Sequence, residues 1–464
     1  MSAGSSRRYF GTDGIRAPVD SPEMAPDRIL RLGAAAGRVL CPDARGLVLI
    51  GCDTRISGPI LESALESGLA SAGADVGLLG VLPTPGIAYL TRTLGARAGV
   101  VISASHNPFT DNGIKFFGPD GCKLDDAREE AIEDVLDGTF RTVAADHFGR
   151  VRRIGDAVGR YVEFCKGTVP HGLRLDGMRI VLDCAHGAGH EVAPAVLAEM
   201  GAEVVPLGIS PDGCNINHEC GSTSPEAMAE KVVAEKAHLG MALDGDGDRV
   251  VMADEHGRIR DGDHLLYVIA RSRQRQGALH GPVVGTVMSN LGLEHALASA
   301  GMEFARTRVG DRYVMEGLRE WRGCLGGESS GHIICLDRTS TGDGVVSGLQ
   351  VMAEMVGQGR SLAELCEGYT PYPQHMVNVR VADGRGLMNH PELQAAIEAS
   401  EARLGDLGRV LVRPSGTEPL VRVMVEGRDM ARVREEVEDL AGVVRQVART
   451  VPDGEKIDLP GQSG

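Results

Sequence analysis

No stretch of this sequence approaches the roughly 18 consecutive apolar residues needed to span a bilayer as a helix. The opening segment MSAGSSRRYF has no apolar core of the signal-peptide kind. Its ten cysteines include no CxxC pair, which disfavours both a disulfide scaffold and a paired-thiolate metal site. Positive charge is also short. Asp and Glu total 64 against 48 Lys and Arg, leaving a formal net charge of −16. A role driven by neutralising nucleic-acid phosphates is therefore excluded. The expectation is a cytoplasmic protein with reduced thiols and neither membrane nor nucleic-acid partners.

What is abundant is glycine, 63 of 464 residues, roughly twice average usage and suited to tight turns beside bound groups. The length suggests two to four domains. One unit recurs three times, at 47–80, 179–208 and 283–310. Each is an apolar strand, a loop, an amphipathic helix stopped by glycine (Gly73, Gly201, Gly301) and a second strand. Such short crossovers imply parallel strands. The last ninety or so residues differ: MVNVRV, RVLVRP and LVRVMVEG read as strands and Met430–Thr450 as a helix. The spacing predicts four domains, 1–153, 154–257, 258–372 and 373–464.

Four loops carry chemistry. In VVISASHNPFTDNGIKFF (Val100–Phe117) a strand runs into Ser105, His106 and Pro108, and proline keeps the serine on a loop at a strand end. Neighbouring side chains rarely face each other, so Ser105–His106 is no ready-made dyad. In LDGDGDR, Asp244, Asp246 and Asp248 alternate with glycines that let three carboxylates converge on a hard cation, with Arg249 beside them. An EF-hand is disfavoured, because Arg249 occupies its glycine position and the flanks read as strands. GGESSGH matches G-x-S-x-G around Ser329, but a strand-like run follows where that motif needs a helix. Glu328, Ser330 and His332 there suit a hydroxyl clamp. RPSGTEPLVR offers Arg413, Ser415, Gly416, Thr417 and Arg422 as a phosphate cradle. Two weaker patterns are set aside. Gly187-Ala188-Gly189 lacks the third dinucleotide-fingerprint glycine, and Cys214, His218 and Cys220 supply only three ligands.

These loops together with YFGTDGIR, PDGCNIN, CGST and VGDRYV resemble the α-D-phosphohexomutase superfamily over nearly the whole chain, and within it the bacterial amino-sugar branch. The resemblance implies three similar α/β domains with mixed sheets and a smaller C-terminal α+β domain around a central cleft. It implies that Ser105 carries a phosphate, and that Asp244, Asp246 and Asp248 hold one Mg²⁺ together with an oxygen of that phosphoserine. Lys115 would act as general acid/base with His332 as helper. Arg16 and Arg249 would steady the phosphoserine, and His106 is counted with this catalytic group. Glu328 and Ser330 would bind sugar hydroxyls, and Arg413, Ser415, Gly416, Thr417 and Arg422 the non-reacting phosphate. The implied reaction interconverts glucosamine 6-phosphate and glucosamine 1-phosphate through a 1,6-bisphosphate, which also serves as activator; a homodimer is compatible. Three positions depart from the branch pattern: Ser329 stands where glutamine is usual, Ala17 where glycine is, and Cys214 where leucine is common. Alternatives are glucose- or mannose-phosphate substrates with the same chemistry, a serine hydrolase built on Ser329, and a non-catalytic sugar-phosphate sensor.

Overall fold

The computed structural model describes residues 8–43, 45–381, 384–414 and 419–450. By its contacts the chain separates into two compact units, residues 1–289 with 301–368, and residues 290–300 with 369–464.

The larger unit contains three sheets. The first comprises β1 (Ile15–Pro18), β2 (Leu47–Cys52), β3 (Asp75–Val81), β4 (Ala98–Ile102), β5 (Asp111–Phe117) and β6 (Val151–Arg153), in the order β1-β5-β4-β2-β3-β6. The second comprises β7 (Arg179–Asp183), β8 (Glu203–Leu207), β9 (Leu239–Leu243), β10 (Val250–Ala253) and β11 (Ile259–Arg260), in the order β11-β10-β9-β7-β8. The third comprises β12 (Val283–Thr286), β13 (Phe304–Thr307), β14 (Leu325–Gly327) and β15 (Ile333–Cys335), in the order β13-β12-β14-β15.

Each anticipated strand–helix–strand unit is present, with its two strands paired in parallel. Gly73, Gly201 and Gly301 all take positive φ after their helices, the left-handed position at which glycine ends a helix without steric cost. In each sheet a third strand (β4, β9, β14) then pairs in parallel with the first, and its successor (β5, β10, β15) returns antiparallel. The connection at that reversal is the serine loop in the first sheet, the aspartate loop in the second and the ESSGH loop in the third. They are one topological loop in three copies, each leaving the carboxyl end of a parallel strand, where α/β sheets bind ligands.

The core is apolar strand interior, with Val48, Leu49, Ile50, Val181, Leu182, Val283 and Val284 fully buried. Helix Pro26–Leu40 turns Ile29, Leu32, Gly33 and Ala36 inward at helical spacing and crosses helix Gly58–Ser71 at close range. A Cβ on Gly68 would lie 2.1 Å from the Leu30 carbonyl oxygen, so only glycine permits this crossing.

The smaller unit holds an antiparallel sheet of β16 (Gln374–Arg380), β17 (Gly408–Pro414) and β18 (Leu420–Gly427), in the order β16-β18-β17. Helix Met430–Thr450 packs against it through Val433, Val437, Leu440 and Val444. Helix Pro391–Leu404, which the sequence reading does not anticipate, joins the same core through Leu393. Helix Leu291–Ser299, of the third repeat, also belongs to this unit: the Leu291 amide donates to Glu426 Oε1 at 3.1 Å.

Candidate active site

Ser105 follows β4 with φ +53°, a left-handed conformation unusual for a non-glycine residue, and is 1% exposed. Its hydroxyl donates to Asp244 Oδ2 at 2.6 Å. His106 Nδ1 lies 3.4 Å from the same hydroxyl, too long for a strong bond. Burial, then Arg249 and Arg16, lower the His106 pKa to about 4, which keeps it neutral.

The serine loop is clamped from beneath by residues at the end of β2. Arg55 and Asp53 form a fully buried ion pair at 2.8 Å. Arg55 donates to the carbonyls of Ser105 at 2.9 Å, Asn107 at 2.8 Å and Asp111 at 3.0 Å, and to that of Pro108. Asp53 accepts the Ser103 hydroxyl at 2.6 Å, and Ser103 Oγ in turn accepts the Ser105 amide at 2.9 Å. Asn217, from PDGCNIN, donates to the carbonyls of Ser105 at 2.9 Å and Asn107 at 3.2 Å.

Asp244, Asp246 and Asp248 are buried and each offers a carboxylate oxygen within 4.8 Å of the others. Among the described residues no other three His, Cys, Asp or Glu converge in this way; Cys214, His218 and Cys220 do not. Asp246 Oδ1 and Asp248 Oδ1 are buried without hydrogen-bond partners. Burial, then the charges of Asp248 and Asp246, push the Asp244 carboxyl well above its ordinary range. Orphaned carboxylate oxygens crowded at this distance fit a divalent cation with oxygen ligands. The β9 and β10 flanks exclude an EF-hand. The Gly187-Ala188-Gly189 turn finds its purpose here: the Ala188 amide donates to the Gly245 carbonyl at 2.8 Å, and a Cβ on Gly187 would lie 2.3 Å from that oxygen. Thr84 supports the loop as well, its hydroxyl donating to Asp246 Oδ2 at 2.6 Å and its amide to the Asp246 carbonyl at 2.9 Å.

Lys115, on β5, is 2% exposed, with Nζ 2.9 Å from Asp246 Oδ2, 3.1 Å from Asp13 Oδ2 and 3.7 Å from Asp248 Oδ2. Burial pulls its pKa down, but Asp13, Asp246 and Asp248 outweigh burial and hold it above the ordinary lysine range. His332 lies 3.5 Å from Asp248 through Nδ1 and 3.6 Å from Asp311 through Nε2. Against burial, Asp248 and Asp311 raise it to about 9. Arg16 pairs with Asp13, and Arg249 Nε is 3.9 Å from Asp248 Oδ1. The Nε of each arginine is buried with no hydrogen-bond partner, as expected of guanidinium groups prepared for an anion.

The ESSGH loop lies against the strand that follows the aspartates. Val250 donates to the Gly331 carbonyl at 3.1 Å, and Gly331, at φ +92°, has no room for a Cβ, which would come 2.2 Å from the Val250 carbonyl oxygen. Glu328 Oε1 accepts the Gly310 amide at 3.0 Å, and Ser330 is exposed. Strand β15, not a helix, follows Ser329, so no nucleophile elbow exists here. Arg16, His106, Asp248, Arg249, Glu328, Ser330 and His332 all line one cleft of about 640 Å³ in the larger unit.

In the smaller unit Arg413 and Arg422 stand directly opposite each other on β17 and β18. Burial, then Arg422, lowers the Arg413 pKa. Like charges so placed are destabilising unless an anion lies near. Ser415, Gly416 and Thr417 lie outside the described residues.

Sequence reasoning assigned no role to Asp13, Asp53, Arg55, Thr84, Lys123, Asn217 or Asp311. Asp53 and Arg55 follow directly on β2 in the run LVLIGCDTR, and a charged pair just past an apolar strand is the one signal that could have drawn attention to them.

Four family models match the chain in order: phosphoglucomutase/phosphomannomutase alpha/beta/alpha domain I over residues 7–141, domain II over 160–257, domain III over 261–372 and the C-terminal domain over 376–443. A phosphoglucosamine mutase of Halorhodospira halophila is 59% identical over 444 residues, covering 96% of this chain and 98% of that one. One from Methylococcus capsulatus is 58% identical over 439 residues, covering 94% and 98%. Among solved structures, a phosphoglucomutase/phosphomannomutase family protein of Burkholderia thailandensis superposes with TM-score 0.79 at 24% identity, covering 95% of this chain and 98% of that one. The N-acetylphosphoglucosamine mutase of Aspergillus fumigatus, in complex with GlcNAc-6P and magnesium, gives 0.67 at 18%, covering 96% and 97%. The chain belongs to the phosphoglucomutase/phosphomannomutase family and, within it, to the phosphoglucosamine mutases, a family of isomerases.

Proposed function

We propose that this chain interconverts glucosamine 6-phosphate and glucosamine 1-phosphate at the cleft of the larger unit, with Ser105 as the phosphoryl carrier. The observation that carries this reading is the 2.6 Å bond from Ser105 Oγ to Asp244, within a cluster of three buried aspartates whose carboxylate oxygens lie within 4.8 Å of one another. In the forward step the bond between phosphorus and Ser105 Oγ breaks as a bond forms to the free hydroxyl of the sugar phosphate, giving the 1,6-bisphosphate. After the bisphosphate turns over, its other phosphoryl group returns to Ser105.

Asp244, Asp246 and Asp248 would hold Mg²⁺, which when bound offsets charge on the transferring phosphoryl group. Arg16 and Arg249 take the phosphoserine oxygens with the guanidinium nitrogens that lack partners. Lys115 and His332, which both approach Asp248, at 3.7 Å and 3.5 Å, are the two proton-carrying groups, one for Ser105 Oγ and one for the sugar hydroxyl. Neutral His106 flanks the serine. Glu328 and Ser330 receive sugar hydroxyls, and Arg413 and Arg422, with Ser415, Gly416 and Thr417, suit a phosphate group. The matched family models support division at 153, 257 and 372. No described helix is long and apolar enough to cross a membrane; a cytoplasmic location is proposed on the scattered, unpaired cysteines, and a homodimer on the resemblance.

The test compares kcat/KM for glucosamine, glucose and mannose 6-phosphates, with Mg²⁺ and a hexose 1,6-bisphosphate present. The expected result favours glucosamine 6-phosphate by about tenfold or more, a discrimination of roughly 1.4 kcal/mol. Preference for a neutral hexose phosphate would overturn the substrate assignment and direct attention to Ser329, which lines the cleft.

A further inference from the structure

The carboxylates at the cleft and the cations they hold form a circuit of alternating sign, closed by Lys115 at 3.7 Å from Asp248. Lys115 joins Asp246 at 2.9 Å to Asp13 at 3.1 Å. Lys123 joins Asp13 Oδ1 to Asp311 Oδ2, the latter at 2.5 Å. Asp311 lies 3.6 Å from His332, and His332 lies 3.5 Å from Asp248. Of the cations in this circuit, Lys115 and His332 have roles in the proposed reaction and Lys123 has none.

Lys123 is placed with care. It returns from β5 through a turn in which the Gly118 amide donates to the Cys122 carbonyl at 2.7 Å, and a bridge sets it opposite Phe117, two residues beyond Lys115. The turn is pinned by the Ser340 hydroxyl, which donates to the Gly121 carbonyl at 2.7 Å. Arg312 holds the chain just beyond, donating to the Leu124 carbonyl at 3.1 Å and to both Glu129 oxygens at 3.0 Å. The Lys123 side chain is 16% exposed, with its ammonium between the Asp13 and Asp311 carboxylates.

Resting on the function proposed above, we infer that Lys123 is a positioning residue for phosphoryl transfer. By taking one oxygen from Asp13 and one from Asp311, it limits the hold of those carboxylates on Lys115 and His332. Without that cation, Asp13 retains Arg16 and Lys115 as partners and Asp311 retains His332, so the pull of each carboxylate falls on those remaining groups. Asp13 then draws Lys115 away from Asp246, and Asp311 draws His332 away from Asp248. Displacements of about 1 Å in such groups cost on the order of a hundredfold in rate.

The test uses the full chain with Mg²⁺, hexose 1,6-bisphosphate and glucosamine 6-phosphate, comparing wild type with Lys123→Met, Lys123→Arg, Asp311→Asn and the Lys123→Met/Asp311→Asn double variant. Lys123→Met should lose about a hundredfold in kcat, with KM changed less than about threefold and Tm within a few degrees. Lys123→Arg should recover most of that loss. The double variant should lose clearly less than the product of the two single losses, because neutralising Asp311 removes the charge that Lys123 offsets. Unchanged kcat in Lys123→Met would overturn the inference, as would a raised KM at constant kcat, which would put Lys123 on the substrate. Equal inactivity of Lys123→Met and Lys123→Arg with a lowered Tm would also overturn it, showing a folding role. Wild type failing to turn over glucosamine 6-phosphate would instead refute the function on which the inference rests, and the inference with it.

Discussion

Ser105 holds a backbone conformation that costs an L-residue about 1–2 kcal/mol, and the buried Arg55 guanidinium shows how that cost is met. Four carbonyls of the serine loop converge on this one cation, whose charge is balanced by Asp53. The loop thus has one available shape, with the Ser105 hydroxyl aimed at Asp244. Replacing Arg55 by methionine leaves Asp53 as an unpaired buried charge and releases those carbonyls together. Breaking a buried pair in this way costs about 3–5 kcal/mol. Thermal unfolding should therefore show a clearly lowered Tm, and kcat should fall by about a hundredfold or more as the hydroxyl loses its aim. A variant with unchanged Tm and kcat would mean that the loop holds itself. Arg413 and Arg422 are a different case: their opposition on neighbouring strands is legible from the antiparallel register alone.

At the level of elements, glycine has two opposite meanings in this chain. Gly68 lies where helix Gly58–Ser71 meets helix Pro26–Leu40, and any Cβ would strike the Leu30 carbonyl. Gly442 lies on the exposed face of helix Met430–Thr450, with nothing within 4 Å of an added Cβ. Alanine is favoured over glycine in a helix by about 1 kcal/mol. At Gly442 that preference acts alone, and Gly442→Ala should raise the unfolding temperature. At Gly68 overpacking costs about 1–3 kcal/mol, and Gly68→Ala should lower it. Calorimetry on the two variants checks both signs; a shift of the same sign in both would contradict the packing account. The three strand-reversal loops belong to this scale as well. Their equivalence was legible in part, because strand, glycine-stopped helix and strand are local patterns. The antiparallel return after β4, β9 and β14 is not legible in residue spacing, since nothing local distinguishes a returning strand from another crossover; the mixed sheets follow only from the family resemblance. Helix Pro391–Leu404 was missed because its apolar stripe is thin: Leu393 is its one buried apolar residue.

Across the whole molecule, the residues with chemistry in their type announced themselves, and those that support them did not. The aspartate triad is a spacing and Ser105 a motif, so both could be read directly. Arg55, Thr84, Lys123 and Asn217 become meaningful only through contacts that span long stretches of sequence, such as Asn217 with Ser105 across 112 positions and Thr84 with Asp246 across 162. No periodicity or spacing reports such pairs. The net charge of −16 is resolved in the same way, because Arg16 and Arg249 line the cleft and Lys115 and Lys123 pair with its carboxylates Asp13, Asp248 and Asp311. Ser105 as phosphoryl carrier is the claim on which the rest depends. The direct measurement incubates the chain with Mg²⁺ and a labelled hexose 1,6-bisphosphate, locates the label by peptide mass spectrometry and chases it with unlabelled glucosamine 6-phosphate. One phosphoryl group per chain is expected, on Ser105, released to sugar no more slowly than kcat, absent in Ser105→Ala and retained in Ser329→Ala. Label on another residue, or full turnover by Ser105→Ala, would contradict it.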